Sequence, residues 1–350
     1  MPLFQHSILL APKTFLSKMD GMLRRFLWEG GKNNERRLHL VNWDTIKRPF
    51  IEGGLQMRDL AAQNLALGSK ILWNIVAGKI SWSKKVLWKK YFQGQRLRCL
   101  DLPQKISKGS PISKLCIAAL DNFSSNLYWI PGNGKKIRIW KDQILGGQPL
   151  QHIKDLANIK LWLHSNNKET LWDISNWTED VDRRWDSWNL GEVPHHLQAE
   201  ASLLLDNLQG KSPLSATAKD KRGWGSHTGS FSVAEGYKSL IAVPNVPPDP
   251  TQWKFIWSFP SLPKIDFFCW TLAHNSILTG DNLRKRGMEG PTRCPLCISE
   301  EETADHLLLL CPFAKAVWKG VLSSRADKIE LPRNVPTLLH EWAKLSSFCL

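Results

Sequence analysis

The sequence predicts a mainly α chain with small β-hairpins (α+β), built in several units, the last a small domain stapled by a cluster of cysteines and a histidine. Three observations predict it. Apolar residues recur at the helical period early in the chain, and Gly-rich turns separate short β-prone runs in the middle. Four prolines between residues 243 and 252 then mark an extended boundary before the last hundred residues. A length of 350 residues suits two or three domains. The expected divisions are a basic helical region at 1–100, a Trp-rich connecting region with hairpins at 101–242, and the stapled domain at 251–350.

Early in the chain, Pro49 and the pair Gly53-Gly54 predict a turn. In the stretch RDLAAQNLALGSKILWNIVAG, Leu60, Leu67, Ile71 and Ile75 share a helical face, with Ala61, Leu65, Leu72 and Val76 beside them. Asp59 is placed to cap that helix and Gly78 to end it. The run SWSKKVLWKKYF sets Trp82, Val86 and Phe92 on one side and Lys84, Lys85, Lys89 and Lys90 on the other. Further on, runs at 127–130 and 136–140 flank Gly132-Asn133-Gly134, the residues a tight hairpin needs. Residues 150–210, with Trp162, Trp172, Trp177, Trp185 and Trp188, read as helical. A second hairpin is expected in GWGSHTGSFSV, followed by a capping box, Ser232 to Glu235, that starts a helix at Val233.

Composition narrows the function. With 42% apolar and 23% charged residues the chain is globular rather than disordered. No apolar run approaches the ~18 residues of a membrane span. The opening MPLFQHSILLAPK has no basic residue before Lys13 and makes a poor secretory signal, so an intracellular protein is expected. Net charge is +15, and it is placed unevenly. Residues 1–150 carry 25 Lys and Arg against 9 Asp and Glu, while residues 151–350 carry 22 against 23. A polyanion is the natural partner of the first part. Candidate contacts are Lys84, Lys85, Lys89, Lys90, Arg96 and Arg98, then Lys135, Lys136 and Arg138, and finally Arg284, Lys285 and Arg286. Trp88 and Trp140 lie beside them and are candidates to stack on bases. Such contacts bind RNA or DNA without sequence preference and weaken with salt. Core packing of the tryptophans and plain solvation of the lysines are the competing readings.

The most specific chemistry lies near the C-terminus. In RCPLCISEEETADHLLLLCPF the spacing is Cys294-x2-Cys297-x8-His306-x4-Cys311. Three thiolates and an imidazole form a common ligand set for structural zinc. A Cys-x2-Cys pair turns on a tight knuckle that lets both sulfurs reach one ion, and the acidic spacer is expected to loop into solvent. Along an ideal helix five residues turn through about 500°, which would part His306 from Cys311. An extended or turn conformation is therefore expected at His306–Leu310, with Cys311 capping a helix that begins at Pro312. Phe313, Val317 and Val321 would give that helix a buried stripe. Four protein ligands leave no open position, so the Zn2+ would be structural. Four free side chains, or a redox pair at Cys294 and Cys297, are the alternatives.

Taken in order, several segments resemble a known family. These are FLWEGG, LVNWDTIKRPFIEGGLQMRDLAAQNLALGSKILW, GSPISKL, WIPGNGKKIRIWKD, GWGSHTGSFSVAEGYKSL and WKFIWSFPSLPKIDFFCWTLAHNSILTGDNLRKRGM, ending in CPLC and ETADHLLLLCPFAKAVW. The chain resembles the C-terminal region of plant LINE-type (non-LTR) retrotransposon reverse transcriptases, including the reverse-transcriptase zinc-binding domain. The resemblance implies a zinc module on Cys294, Cys297, His306 and Cys311 that helps to bind template RNA or target DNA. It also implies a polymerase module as partner, in cis or in trans, and a nuclear setting. Polymerisation needs carboxylates around two metal ions, which the family supplies partly through Tyr-x-Asp-Asp. This sequence has no Asp-Asp pair, no Gly-rich phosphate loop and no nucleophile elbow. No catalytic residue is therefore assigned, and a chain that does not itself polymerise DNA is expected. A protein-interaction fragment, an inactive remnant and a truncated active polymerase are the other readings.

Overall fold

The computed structural model describes residues 8–29, 38–77, 109–145, 147–181, 183–225, 229–241, 251–258, 261–290, 292–322 and 331–346. In chain order the main helices are α1 (Lys13–Glu29), α2 (Trp43–Lys47), α3 (Leu60–Val76), α4 (Pro111–Ala118) and α5 (Leu120–Ser125). Strand β1 (Leu127–Ile130) follows, then α6 (Ala157–Ser165), β2 (Ser175–Trp177), β3 (Trp185–Trp188), α7 (Gln198–Leu208) and β4 (Lys221–Trp224). The remaining helices are α8 (Val233–Ile241), α9 (Thr251–Ser258), α10 (Pro263–Ala273), α11 (Gly280–Lys285), α12 (Pro312–Val321) and α13 (Val335–Ser346). The fold is thus mainly helical with small antiparallel strand pairs.

Two compact units form: Met1–Leu16 with Leu60–Ala242, and Ser17–Asp59 with Val243–Leu350. The stretch expected as one basic region at 1–100 contributes to both.

In the first unit, α3 packs through small residues. Ala62, Ala66, Gly68 and Ser69 are buried with Leu72, Trp73 and Ile75, whereas Leu67 and Ile71 are only partly covered. The buried face is therefore rotated from the one the large residues suggested. A methyl group on Gly68 would sit 2.9 Å from Leu115 of α4, so glycine lets the two helices approach closely. Asn64, also buried, accepts from the Ala11 amide at 2.9 Å and donates to the Leu9 carbonyl at 2.9 Å, which ties down the chain ahead of α1. Asp59, the last residue of the second unit before α3, pairs with Lys47 of the same unit at 2.9 Å. The expected helix of SWSKKVLWKKYF and the end at Gly78 lie outside the described residues.

The two expected hairpins are replaced by one long-range pair. β1 runs antiparallel to β4, with Leu127 opposite Trp224 and Ile130 opposite Lys221, rather than to residues 136–140. The cause is Asp220. Its carboxylate accepts from the amides of Gly132 and Gly134 at 2.8 Å each and of Lys136 at 3.0 Å. Three amides converging on one anion curl the loop inward. A methyl group on Gly132 would lie 2.3 Å from the Lys219 backbone, and Gly134 takes φ +76°. Gly132 serves close approach to residues 219–220 and Gly134 to Leu171 and Trp172, rather than a two-residue turn.

Within residues 150–210 the α-helices stand only toward the ends, with a 3-10 turn at Leu171–Ile174 between them. Between α6 and α7, Trp177, Trp185 and Trp188 stand on the β2–β3 hairpin, and Trp172 packs on Trp177 with centroids 4.7 Å apart. Indoles and β-branched side chains favour this pleated, half-buried surface over a helix. Trp129, Ile137, Ile139, Leu163, Leu171 and Leu204 form the core beneath. At Ser232 the N-cap half of the expected box forms: the Glu235 amide donates to the Ser232 hydroxyl at 3.1 Å, that hydroxyl donates to the Glu235 carboxylate at 3.2 Å, and α8 begins at Val233.

The second unit is centred on aromatic residues. Trp28, Trp43, Trp253 and Trp270 are buried with Ile46, Ile256, Leu309, Leu338 and Leu339. The Gly53 carbonyl accepts from Trp270 Nε1 at 2.8 Å and from His274 Nε2 at 2.7 Å. Trp253 stacks on His274 at 4.7 Å and covers Gly53, whose φ is +83°. A methyl group on Gly53 would come within 2.8 Å of the Trp253 ring. The turn expected at Pro49 and Gly53-Gly54 is thus the point on which α9 and α10 close.

Candidate metal centre

The site is built from one knuckle and one helical return. Arg293 and Glu301 bridge antiparallel. The Cys294 amide donates to the Glu300 carbonyl at 2.8 Å, and Ile298 donates back to Cys294 at 2.8 Å. This closes the turn through Pro295-Leu296 and presents both sulfurs to one side. It also forces Ile298 to φ +61°. A β-branched residue holds that conformation only where its surroundings over-determine it, as a metal clip across Cys294 and Cys297 would.

The return limb differs from the extended or turn segment expected at His306–Leu310. It is a π-helical turn in which the Cys311 amide donates to the His306 carbonyl, five residues back, at 2.8 Å. An α-helix would swing Cys311 away through about 500°. The wider i→i+5 turn brings it back over His306, and such turns recur at functional sites. Cys311 then takes non-helical backbone angles, φ −57° and ψ 134°, and precedes Pro312 at the start of α12, as expected.

These elements gather the four side chains. Their ligand atoms all lie within 4.8 Å of one another. Sγ of Cys294 and Sγ of Cys311 are 3.9 Å apart, and Sγ of Cys297 is 3.2 Å from Nε2 of His306. Sulfurs held about 2.3 Å from a tetrahedral zinc ion are separated by roughly 3.8 Å. The donor set, the spacing and the closed count of four all fit a structural Cys3His zinc site. Cys294 and Cys311 are fully buried, His306 nearly so, and Cys297 opens partly to solvent.

The electrostatics are divided in the same way. Burial pushes the Cys294 thiol above its ordinary value. The Glu300 and Ser299 amides, hydrogen-bonded to Cys297, pull its thiol down to about 6. One sulfur is therefore prepared as a thiolate by the protein, while the other needs the charge of a bound cation to ionise.

The first half of the acidic spacer, Ile298 to Glu301, is exposed as expected, but its second half turns inward. Glu302 is buried; its carboxylate accepts from the Gly280 amide at 3.2 Å and its carbonyl from Asp281 at 3.2 Å. Asp305 accepts from the Val335 amide, the first of α13, at 2.8 Å, while Asn334 caps that helix by accepting from the Thr337 amide at 2.9 Å. The spacer thus joins the site to α11 and α13. Sequence spacing alone gave no sign of these bonds, because their partners lie up to 30 residues away.

The expected stripe on α12 is also reversed. Phe313, Val317 and Val321 are exposed, at 56%, 49% and 69%. The inward face is set by Ala314, which packs on Cys294 and Cys311, and by Trp318 one turn on. Trp318 donates to the Leu308 carbonyl at 2.7 Å and meets Trp342 edge-on at 5.5 Å. Once that face turns inward, the 313–317–321 row points outward.

The structure describes only some of the basic candidates. Lys84, Lys85, Lys89, Lys90, Arg96, Arg98 and Trp88 lie outside the described residues. Lys135 sits 4.0 Å above the Trp172 ring, Lys136 is exposed, and Arg138 bridges to Thr170. Arg284 pairs with Glu301, and Lys285 pairs with Asp281 at 2.8 Å. Arg286 donates to the carbonyls of His39 and Leu40 at 2.9 and 2.8 Å. This last group is engaged within the protein. Trp140 is buried at 7% in the first unit's core rather than open to a base.

Two comparisons with known proteins agree with this centre. Residues 231–318 match the family described as zinc-binding in reverse transcriptase, a span that contains all four ligands. The chain is also 28% identical, over 341 residues, to a putative ribonuclease H protein of Arabidopsis thaliana, covering 94% of this chain and 51% of that protein. The chain thus spans about half the length of the curated relative it matches. The C-terminal part is a reverse-transcriptase-related zinc-binding domain. Among the described residues, no helix is long and apolar enough to cross a membrane.

Proposed function

We propose that this chain is the non-catalytic, nucleic-acid-binding C-terminal part of a LINE-type reverse transcriptase, working in the nucleus beside a polymerase module. The observation that carries the reading is the closed Cys3His cluster inside the segment similar to reverse-transcriptase zinc-binding domains. Four protein ligands leave the ion no place for substrate, so its role is to hold the knuckle, the π turn and α12 in register. The net charge of +15 supports a polyanionic partner, RNA or DNA, held mainly through phosphates. The ribonuclease H activity in the relative's name belongs to that protein, of which this chain covers half.

Retention of single-stranded RNA at graded salt tests the reading. Binding is expected to weaken steeply as salt rises. Reversing Lys84, Lys85, Lys89 and Lys90 to Glu is expected to remove on the order of three units from the slope of log K against log salt. Retention at low salt no better than that of an uncharged control protein would refute it. A second reading, a protein-interaction fragment, is favoured by the exposed row Phe313, Val317 and Val321. It expects no salt-dependent RNA retention at all.

A further inference from the structure

Helix α12 turns two kinds of side chain away from the protein. Its inner face is fixed. Ala314 packs on Cys294 and Cys311, while Trp318 donates to the Leu308 carbonyl at 2.7 Å and meets Trp342. The helix cannot roll about its axis without breaking these contacts. Phe313, Val317 and Val321, each four residues from the next, therefore stand in solvent as one apolar ridge. Lys315 and Lys319, also four apart and exposed, form a second ridge. Among the described residues neither lysine pairs with a carboxylate.

At 3.6 residues per turn, Ala316 and Gly320 fall between the two ridges. Both are exposed, and a methyl group on Gly320 would meet nothing within 4 Å. The result is a shallow trough with a floor of small residues, one apolar wall and one cationic wall. Ten residues of helix make it about 15 Å long. A surface helix ordinarily turns its apolar ridge inward and leaves only the charged one in water.

The two walls select what fits between them. A ridge of one helix packs into the groove of another, with its anchors at i, i+4 and i+7 or i+8. The apolar wall asks for an aliphatic row, and the cationic wall for Asp or Glu along the adjoining edge. A second copy of α12 laid antiparallel would set lysine ridge against lysine ridge. Laid parallel, each copy would press its lysines onto the other's apolar ridge. A nucleic-acid strand would use two ammonium groups and leave Phe313, Val317 and Val321 in water.

We propose that α12 docks an amphipathic helix of a protein partner, its apolar row along Phe313, Val317 and Val321 and its carboxylates on Lys315 and Lys319. This goes beyond the nucleic-acid-binding reading and does not depend on it.

The test uses the full zinc-bound chain and two fluorescent peptides of about 18 residues, long enough to be helical alone. They share one leucine row and carry either Glu or Lys along its edge, and binding is read by anisotropy. The Glu-edged peptide is expected to bind about tenfold more tightly than the Lys-edged one. Reversing both lysines, Lys315→Glu with Lys319→Glu, is expected to invert that preference. Val317→Asp is expected to weaken the Glu-edged peptide about tenfold or more. Gly320→Leu, which fills the trough while adding apolar surface, is expected to weaken it as well. Unchanged near-ultraviolet circular dichroism and zinc content establish that the variants are folded. Equal binding of the two peptides, a preference that survives reversal of the lysines, or tighter binding by Gly320→Leu would overturn the proposal. Self-association of the chain that Val317→Asp abolishes, with neither peptide bound, would assign the face to a second copy instead. RNA retention lost on reversing the two lysines, again with neither peptide bound, would assign them to nucleic acid.

Discussion

The zinc centre and the Gly53 junction hold the same unit together by different means. At the metal centre four ligands come from eighteen consecutive residues, and the buried cluster around them adds only Ala314 to Cys294 and Cys311. At Gly53 one carbonyl is gripped by Trp270 and His274, 217 and 221 residues further along, within a core of four buried tryptophans. The knuckle and its cysteines bury little apolar area of their own and depend on a cation to offset their ordering entropy, even though Ala304 and Leu309 between the ligands enter the tryptophan core. A segment buried among large rings does not. The first kind of centre is local in sequence and fails when its ion is removed; the second is non-local and fails when its packing is cut.

Substitutions can separate the two. Cys294→Ser is expected to unfold residues 292–322 while the tryptophan core keeps its near-ultraviolet circular dichroism, because the ion's binding free energy is the folding free energy of a small zinc site. Loss of both signals together would erase the distinction. Trp270→Ala is expected to lower stability to denaturant by about 3–5 kcal/mol, through the cavity and the loss of one of the two bonds to the Gly53 carbonyl, without releasing zinc. Asp220→Ala, in the first unit, removes the acceptor of three amides and is expected to cost about 2–3 kcal/mol. It should leave the stability of residues 251–346 unchanged. The smallest effect concerns pH. Burial holds the His274 imidazole below its ordinary 6.5, so the folded state prefers the neutral ring. Its contribution is complete above pH 6.5 and is lost as pH falls below that value, since the unfolded chain then binds the proton more readily. His274→Gln should flatten that part of the stability profile measured by denaturant melts; an identical slope in both proteins would show that the ring carries none of it.

The same contrast explains what could be read from the sequence. Cys294, Cys297, His306 and Cys311 were legible because spacing alone brings a knuckle and a helix start together. The N-cap at Ser232 and the cap position at Cys311 were legible for the same reason, since each lies within a few residues of the helix it starts. The conformation between His306 and Cys311 was not, because the choice between a turn and a π bulge depends on how Ala314 and Trp318 seat α12. Gly132 and Gly134 suggested a local hairpin, yet their partner was Asp220, more than 80 residues on. The face of α3 was misplaced because close packing at Gly68 outweighed the row of leucines. Nothing in residues 17–59 announced that they fold with the C-terminal unit: Gly53 reads as a turn glycine until Trp253, Trp270 and His274 are placed around it.

The most direct measurement is the metal content of the purified full chain, followed by chelation. About one zinc per chain is expected, with loss of ordered structure in residues 292–322 when the ion is removed, read by hydrogen exchange against the tryptophan core. A zinc-free chain whose amides between Cys294 and Cys311 are as protected as those of α10 would contradict it.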